Sequence, residues 1–523
     1  MTNPSVREGL AILAGGQNIE ALRRLIVMTI VGRYLAPSST HGEQTNGDSL
    51  SALLSRLPIK TLAVVASISK GKTGIKDARP GPFPLVVTAE TRSSADHFDF
   101  EGPSVMIPMV SSTGHGDASL KRIHFQDGQY AVGSILAVVQ PKDSSVLSAR
   151  FLHAYLSAFK DELLVSRMVG TANVSLTVAK IGDVPVPLLP IEGQHKIDEL
   201  MALCDRLEAE QTDAEGAHAR LVETLLGTLT QSADAAELAA NWQRLAEHFG
   251  TLFTTESSLD ALKQTILQLA VMGKLVPQDP TDEPASELLK RIAQERARLE
   301  EGTTRKKSKA MPPVGEDEKP FEVPNGWLWV PIGAILGVTS SKRIFESDYV
   351  TRGVPFYRSK EIGELSRWGT TTANFHISDE KYADLVNSRD FPRAGDLLLT
   401  SVGSIGNTWI VDDRRFYFKD GNITQIIQCD VVNMNYVQRF IQGPIFLRMA
   451  TDTVSGTAYN ALTIIKIKQM PFPLPPLAEQ HRIVAKVDEL MALCDRLKAD
   501  LAESRTRQAR LSATLIESAL QAA

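Results

Sequence analysis

The ten residues DELMALCDRL at 198–207 recur unchanged at 488–497. Such a repeat constrains the fold before anything else does, because both copies need like surroundings and the chain must form two related halves. Upstream, GTANVSLTVAKIGDVPVPLLPIEGQHKI (170–197) aligns with GTAYNALTIIKIKQMPFPLPPLAEQHRI (456–483), with 14 of 28 positions identical. The offset changes from 286 to 290 between the two matches, and the difference is Val484 to Val487. Four residues are close to one turn of 3.6, so this indel rotates the downstream helical face by only about 40°. Weaker matches at an offset of 293 pair Phe125-x-Asp127-Gly128 with Phe418-x-Asp420-Gly421, and Gly102 with Gly395. At the N-terminus, ALRRLIVMTIVGRYLAP (21–37) resembles ALKQTILQLAVMGKLVP (261–277), and SALLSRL (51–57) resembles SELLKRI (286–292). The expectation is a circularly permuted order, with segment 1–57 completing the second half about a pseudo-twofold axis.

At roughly 150 residues per domain, 523 residues predict three or four structural units. Apolar residues at 43% and charged residues at 22% exclude a mostly disordered or fibrous chain. The net charge of -5 means that any nucleic-acid contact must come from local clusters of cations. No apolar run approaches the roughly 20 residues of a membrane helix, and no signal peptide is read at the N-terminus, so a cytoplasmic location is expected. Three cysteines without a CxxC pair argue against a disulfide framework and a zinc ribbon.

Residues 58–190 and 321–476 are mixed regions rich in Val, Ile, Thr, Phe and Gly, and read as α+β domains. Ser104 to Val110, Ser134 to Val139 and Asp396 to Thr400 are predicted strands; Ala149 to Phe159 and Tyr436 to Ala450 are predicted helices. Each region ends in a proline strip, 185–190 and 471–476, that suits an extended lead-in to a helix. A helical spacer (191–300) follows the first strip, and a C-terminal helix (477–523) the second. Heptad-like steps give a seam of Ile483, Val487, Leu490, Cys494, Leu497, Leu501, Ser504, Gln508, Leu511 and Leu515. The first copy reads Leu200, Cys204, Leu207, Gln211, Ala214, His218, Leu221 and Leu225. That pattern predicts a pair of long antiparallel coiled-coil helices acting as spacer rods; the plainer alternative is two amphipathic helices on ordinary cores. Segment 301–320 lacks periodicity and reads as a flexible linker, with Arg305, Lys306, Lys307 and Lys309 as a basic run.

Catalytic signatures are missing. Gly71-Lys72-Thr73 resembles the end of a P-loop, but Ala66 replaces the upstream glycine. There is no HExxH, GxSxG or GxGxxG, no histidine pair with metal-ligand spacing, and no Asn/Asp-Pro-Pro-aromatic loop for a flipped base. Neither catalytic, cofactor-binding nor metal-binding residues are therefore assigned. Cys204 and Cys494 read as buried small hydrophobes.

With these features the layout resembles the specificity subunit of type I restriction-modification systems. The marks are Pro-Leu-Pro-Pro-Leu-Ala-Glu-Gln (473–480), Gly-Lys-Leu-Val-Pro-Gln-Asp-Pro (273–280) with Asp-Glu-Pro-Ala (282–285), Pro-Asn-Gly-Trp (324–327), and Gly-Asp-Leu-Leu-Leu-Thr-Ser-Val-Gly-Ser-Ile-Gly (395–406). The first half departs from them, with Val-Ser-Ser-Thr-Gly at 110–114 and Ile-Glu-Gly-Gln at 191–194. The resemblance implies two target recognition domains, each reading half of a bipartite site on double-stranded DNA, with the helices fixing the gap. It also implies two methyltransferase subunits that carry S-adenosylmethionine, and motor-nuclease subunits joining the complex. Read this way the chain is a non-catalytic recognition subunit; a non-DNA-reading scaffold and a fused, self-sufficient methyltransferase-nuclease remain the alternatives. Arg, Asn and Gln suit base edges, and Lys, Ser and Thr suit phosphates. The DNA-contact candidates are Lys70, Lys72, Lys76, Thr88, His115, Thr171, Asn173 and Ser175 in the first domain. In the second they are Lys342, Arg343, Arg358, Lys360, Ser404, Asn407, Thr457, Tyr459 and Asn460.

Overall fold

A computed structural model describes residues 19–33, 50, 54, 58–76, 78–113, 117–170, 174–301, 311–388, 390–454 and 461–522. The chain divides into two compact units, residues 1–216 with 503–523, and residues 217–502.

The first unit begins with α1 (Ile19–Arg33), followed by β1 (Ile59–Thr61), β2 (Ala66–Lys70), β3 (Phe83–Val86), β4 (Ser93–Ala95) and β5 (Phe100–Glu101). Then come β6 (Ser104–Pro108), β7 (His124–Gln126), β8 (Gln129–Val132), β9 (Leu136–Pro141), α2 (Ala149–Ala158), α3 (Val178–Gly182) and β10 (Pro185–Pro187). The long helix α4 (Ile191–Gln231) starts here. One antiparallel sheet has the order β2-β9-β6-β7; a second, β4-β3-β8-β5, contains the parallel pair β3–β8. β6 is buried on both faces. Alternate residues explain why: Val105 and Ile107 join Phe151 and Tyr155 of α2, while Met106 joins Tyr130 and Val132 of the second sheet.

The second unit contains α5 (Ala235–Glu247), α6 (Glu256–Val271), α7 (Ala285–Glu301), β11 (Leu328–Pro331), β12 (Gly337–Thr339), β13 (Tyr349–Val350) and β14 (Val354–Tyr357). It continues with α8 (Ser359–Trp368), β15 (Phe375–Ile377), α9 (Asp379–Val386), β16 (Leu397–Thr400), β17 (Thr408–Ile410), β18 (Tyr417–Phe418) and β19 (Ile423–Ile427). Last are α10 (Met434–Gln442), α11 (Pro444–Val454), α12 (Ile464–Gln469), β20 (Pro471–Leu474) and the second long helix, α13 (Leu477–Ala522). The sheet β12-β19-β16-β17 repeats the first unit's β2-β9-β6-β7 strand for strand, and β14–β18 repeats the parallel pair. The α+β class and the internal repeat are therefore built into the sheets. The proline strips are extended, as expected, and pair as β1–β10 and β11–β20.

Four details differ from the expectations. First, α1 does not complete the second half. Its Leu22, Val27 and Val31 are buried with Phe151, Leu152 and Tyr155, and Arg23 pairs with Asp205 (2.8 Å) and Glu208 (2.7 Å) on α4. In the other unit α6 makes the matching contact, Lys263 with Asp495 on α13. Each helix precedes the domain it packs on, so the order is a tandem duplication and not a permutation. Secondly, Gly102 and Gly395 are true counterparts, with φ of 88° and 92° two residues before β6 and β16. Asp127-Gly128 and Asp420-Gly421 are not: the first joins β7 to β8, the second β18 to β19. They are alike because both tight turns need a residue at positive φ.

Thirdly, the helix predicted over Tyr436 to Ala450 is two helices, broken at Gly443 because Pro444 cannot donate within a helix but suits its first position. Fourthly, the seams hold only in part. Cys204 and Cys494 are buried, at 0% and 2% exposure, so the four-residue indel does preserve the face. Downstream, Leu221 is exposed while Val222, Leu226 and Leu229 are buried with Leu245 of α5 and Leu259 and Leu262 of α6. Those helices take up a face one residue away from the predicted register, and the seam residue His218 lies 3.2 Å from the Thr251 carbonyl. Ser504, Gln508 and Leu511 are exposed. The side chain of Leu515 and the basic run Arg305, Lys306, Lys307 and Lys309 lie outside what is described.

Candidate nucleic-acid interface

The first strand of each large sheet runs into a cationic loop. β2 ends at Lys70, and Gly71 follows where a Cβ would sit 2.2 Å from the Gly133 carbonyl oxygen, so only glycine fits. Lys70, Lys72 and Lys76 are exposed, with the Lys72 ammonium 5.2 Å from the centre of the Phe100 ring. Thr73 is buried beneath them; its hydroxyl donates to Asp99 at 2.7 Å and lies 3.1 Å from His97 Nε2. The counterpart after β12 is held by Tyr417, whose hydroxyl accepts the Lys342 N–H at 3.0 Å. Burial raises the Tyr417 pKa above its ordinary value. Lys342 is exposed, and Arg343 donates to Asp420 at 2.9 Å. The guanidinium is 68% exposed, and so open an ion pair holds it only weakly. Topology thus brings Lys70 and Lys72 to the place in one domain that Lys342 and Arg343 take in the other.

The remaining candidates are more scattered. Thr88 is exposed beyond β3, whereas Ser175 is half-buried, its backbone paired in both directions with Val169. Arg358 and Lys360 lie together at the start of α8, with the Arg358 guanidinium 4.1 Å from the Phe375 ring centre. Ser404 and Asn407 serve their own hairpin: the Asn407 side chain and the Thr400 hydroxyl both donate to the Ser404 carbonyl. That bonding fits a turn-stabilising role for the two. His115, Thr171, Asn173, Thr457, Tyr459 and Asn460 lie outside the described residues.

A second cationic group in the first domain escaped the sequence reading. Arg92 covers the open edge of β7, donating to Gln126 Oε1 (3.1 Å) and the Phe125 carbonyl (3.0 Å) and approaching His124 Nδ1 at 3.2 Å. Arginine has no acceptor, so His124 must accept through Nδ1. Burial, then the charges of Arg92 and Arg122, push the His124 pKa down to about 4. Its neutral ring leaves Nε2 buried without a hydrogen-bond partner. Three-in-a-row basic patterns were absent here; only the fold gathers Arg92 and Arg122 about one strand.

The most distinctive sequence marks converge on a buried joint. Glu479 is 1% exposed and accepts from Trp327 Nε1 at 2.8 Å and from Gln278 Nε2 at 3.2 Å. Beside it Arg482 grips Asp282 through both nitrogens, at 2.6 and 3.2 Å. Gly273, at φ 69°, lies so near Pro324 that a Cβ would come within 2.4 Å. Burial raises the Glu479 pKa, while Trp327, Gln278 and Arg482 oppose the rise. At the next residue, Gln480 accepts from the Asn433 N–H and donates to the Pro475 carbonyl; in the first unit Gln194 likewise accepts from the Ser148 N–H and donates to the Leu189 carbonyl. These marks anchor domain to helix.

A family model described as the type I restriction modification DNA specificity domain matches residues 324–504. The type I restriction enzyme EcoEI specificity subunit of Escherichia coli is 31% identical over 573 aligned residues, covering 96% of this chain and 94% of that protein. The chain belongs to the type I restriction enzyme specificity subunits. The EcoAI specificity subunit of Escherichia coli is 40% identical over 64% of this chain, a match spanning 58% of that relative's length. A chain solved in a study of type I restriction-modification complex assembly shares the fold, with a TM-score of 0.50, 18% identity, and coverage of 89% of this chain and 98% of that one. In this family the subunit supplies DNA specificity. Among the described residues no helix is long and apolar enough to cross a membrane.

Proposed function

We propose that each α+β domain reads one half of a bipartite site on double-stranded DNA, and that α4 and α13 set the gap between the halves. The observation that carries this reading is one sheet framework built twice, each copy opening on an exposed cationic loop, Lys70–Lys72 and Lys342–Arg343. By sequence the two mixed regions carry 13 Lys/Arg against 11 Asp/Glu and 16 against 15, so phosphate neutralisation is shared with partners. Two methyltransferase subunits carrying S-adenosylmethionine dock on the helices in this proposal, and motor-nuclease subunits join that core. α4 alone, at 1.5 Å per residue, spans about 60 Å, ample for half-sites one turn of about 34 Å apart.

The test is equilibrium binding of the full chain with methyltransferase subunits to duplexes bearing one bipartite sequence or scrambled halves. Preference for one bipartite sequence is expected. Sequence-indifferent binding rejects the proposal, and absence of any DNA footprint favours a scaffold.

A further inference from the structure

The two domains share their large sheet but differ in what joins its strands. Between β3 and β6 the first domain has 17 residues, 87–103, with only β4 and β5; between β14 and β16 the second has 39 residues, 358–396, with α8, β15 and α9. Common elements hold the framework, and elements present in one half alone are where two unlike half-sites can be told apart.

α8 is built to be a presented surface. One side packs down through Ile362 and Leu365, and the Ser366 hydroxyl accepts the backbone N–H of Thr408 at the open edge of β17. Glu361 is buried and caps the helix by accepting the Arg358 N–H at 2.8 Å. The other side carries Lys360, Glu364, Arg367 and Trp368, which share one stripe at helical spacing. Lys360 and Arg367 are exposed, and Trp368 is 66% exposed, an unusual setting for the largest apolar side chain. Arg367 has no acidic partner among the described residues. Gly369, at φ 69°, ends the helix by donating to the Leu365 carbonyl, and the exposed Thr370, Thr372 and Asn374 follow.

Resting on the reading above, we infer that α8 is the recognition helix of the second domain, lying in the DNA major groove with Arg367 and Trp368 toward base edges and Lys360 toward phosphate. A major groove about 12 Å wide admits one helix, arginine pairs with guanine edges, and an apolar ring meets a thymine methyl. Lys360 lies 3.6 Å from Glu364, an exposed pairing that holds it only weakly, and Arg367 is the stripe's cation without an acidic partner among the described residues, so the stripe's net positive charge favours a polyanion. Arg358 and Lys360 precede the stripe's end, so two residues singled out from the sequence sit on the same helix start.

The experiment compares the wild-type chain, Arg367→Ala and Trp368→Ala, each assembled with methyltransferase subunits, on duplexes in which either half-site is randomised. Each variant is expected to lose about tenfold or more of its preference at one half-site, each mismatched contact being worth that order, and to keep full discrimination at the other. Both side chains point away from the core, so circular dichroism and co-elution with the partner subunits should match wild type. Unchanged discrimination at both half-sites, or equal loss at both, overturns the assignment while leaving bipartite recognition in place. Wild-type binding indifferent to both halves overturns the assignment together with the reading beneath it.

Discussion

Replacing Trp327 by phenylalanine keeps an aromatic ring in the buried joint but removes the N–H that Glu479 accepts at 2.8 Å. Glu479 is 1% exposed, so water cannot take the indole's place. Losing a hydrogen bond to a buried charged group costs about 1.5–3 kcal/mol, and the smaller ring adds roughly 1 kcal/mol of lost contact. The expected destabilisation is therefore about 2.5–4 kcal/mol. All five tryptophans lie within residues 217–502, so their fluorescence in urea reports on that unit alone. A cycle of Trp327→Phe, Glu479→Met and the double variant, in which methionine offers no oxygen acceptor, should return a coupling of at least about 1 kcal/mol. The duplicated half provides the rationale: Gly193 stands at the position of Glu479, so the acceptor is absent there. The pH dependence has a definite sign. A carboxyl whose folded pKa is raised adds stability below its unfolded pKa and loses that gain as pH rises through the folded value. Wild type should therefore gain stability relative to Glu479→Gln as pH falls from 7 toward the ordinary carboxylate range. Additive single-variant effects, with coupling below about 0.5 kcal/mol, would refute the joint as described.

His124 should act in the opposite sense. Its pKa is pushed from 6.5 to about 4, so stability present above pH 6.5 is lost as pH falls toward 4, by roughly 2–3 kcal/mol. Calorimetry should show that His124→Gln removes this acid sensitivity; an unchanged pH profile would count against a buried neutral imidazole. The paired glycines offer a direct comparison. Gly102→Ala meets open space and costs about 1–2 kcal/mol for its left-handed backbone, and in Gly395→Ala the new Cβ meets only the end of the exposed Gln428 side chain, which can swing aside. Urea midpoints should fall by similar amounts for the two variants, and a much larger loss at Gly395→Ala would contradict a free Gln428 side chain. Finally, inserting four residues after Leu207 adds one turn to α4, and methylation mapping should show a wider tolerated gap with both half-sites unchanged. Altered half-sites with the original gap would remove α4 from the role of spacer.

The duplicated framework was legible because repetition needs no knowledge of distant contacts: DELMALCDRL, the proline strips and the glycines before β6 and β16 announce themselves in one dimension. Burial of Cys204 and Cys494 followed from the same periodicity. Partner choice did not. α1 looked like a missing piece of the second half, yet Leu22 and Val31 are buried against Phe151 and Tyr155, close in space though far along the chain. The shift from Leu221 to Val222 on α4 has the same origin, since α5 and α6 choose the face that a heptad count cannot see.

The candidate interface divides along the same line. Lys70, Lys72, Lys342 and Arg343 were found as cations beside strands, and the topology places them equivalently. Arg367 and Trp368 went unnoticed because an amphipathic decamer in isolation does not reveal which side is covered. Residue types and their repetition thus establish a doubled α+β framework joined by helices, because local chemistry and spacing are written in the chain. Which helix braces which domain, and which side chains stay bare, depends on burial against residues tens or hundreds of positions away, a sum no short window contains.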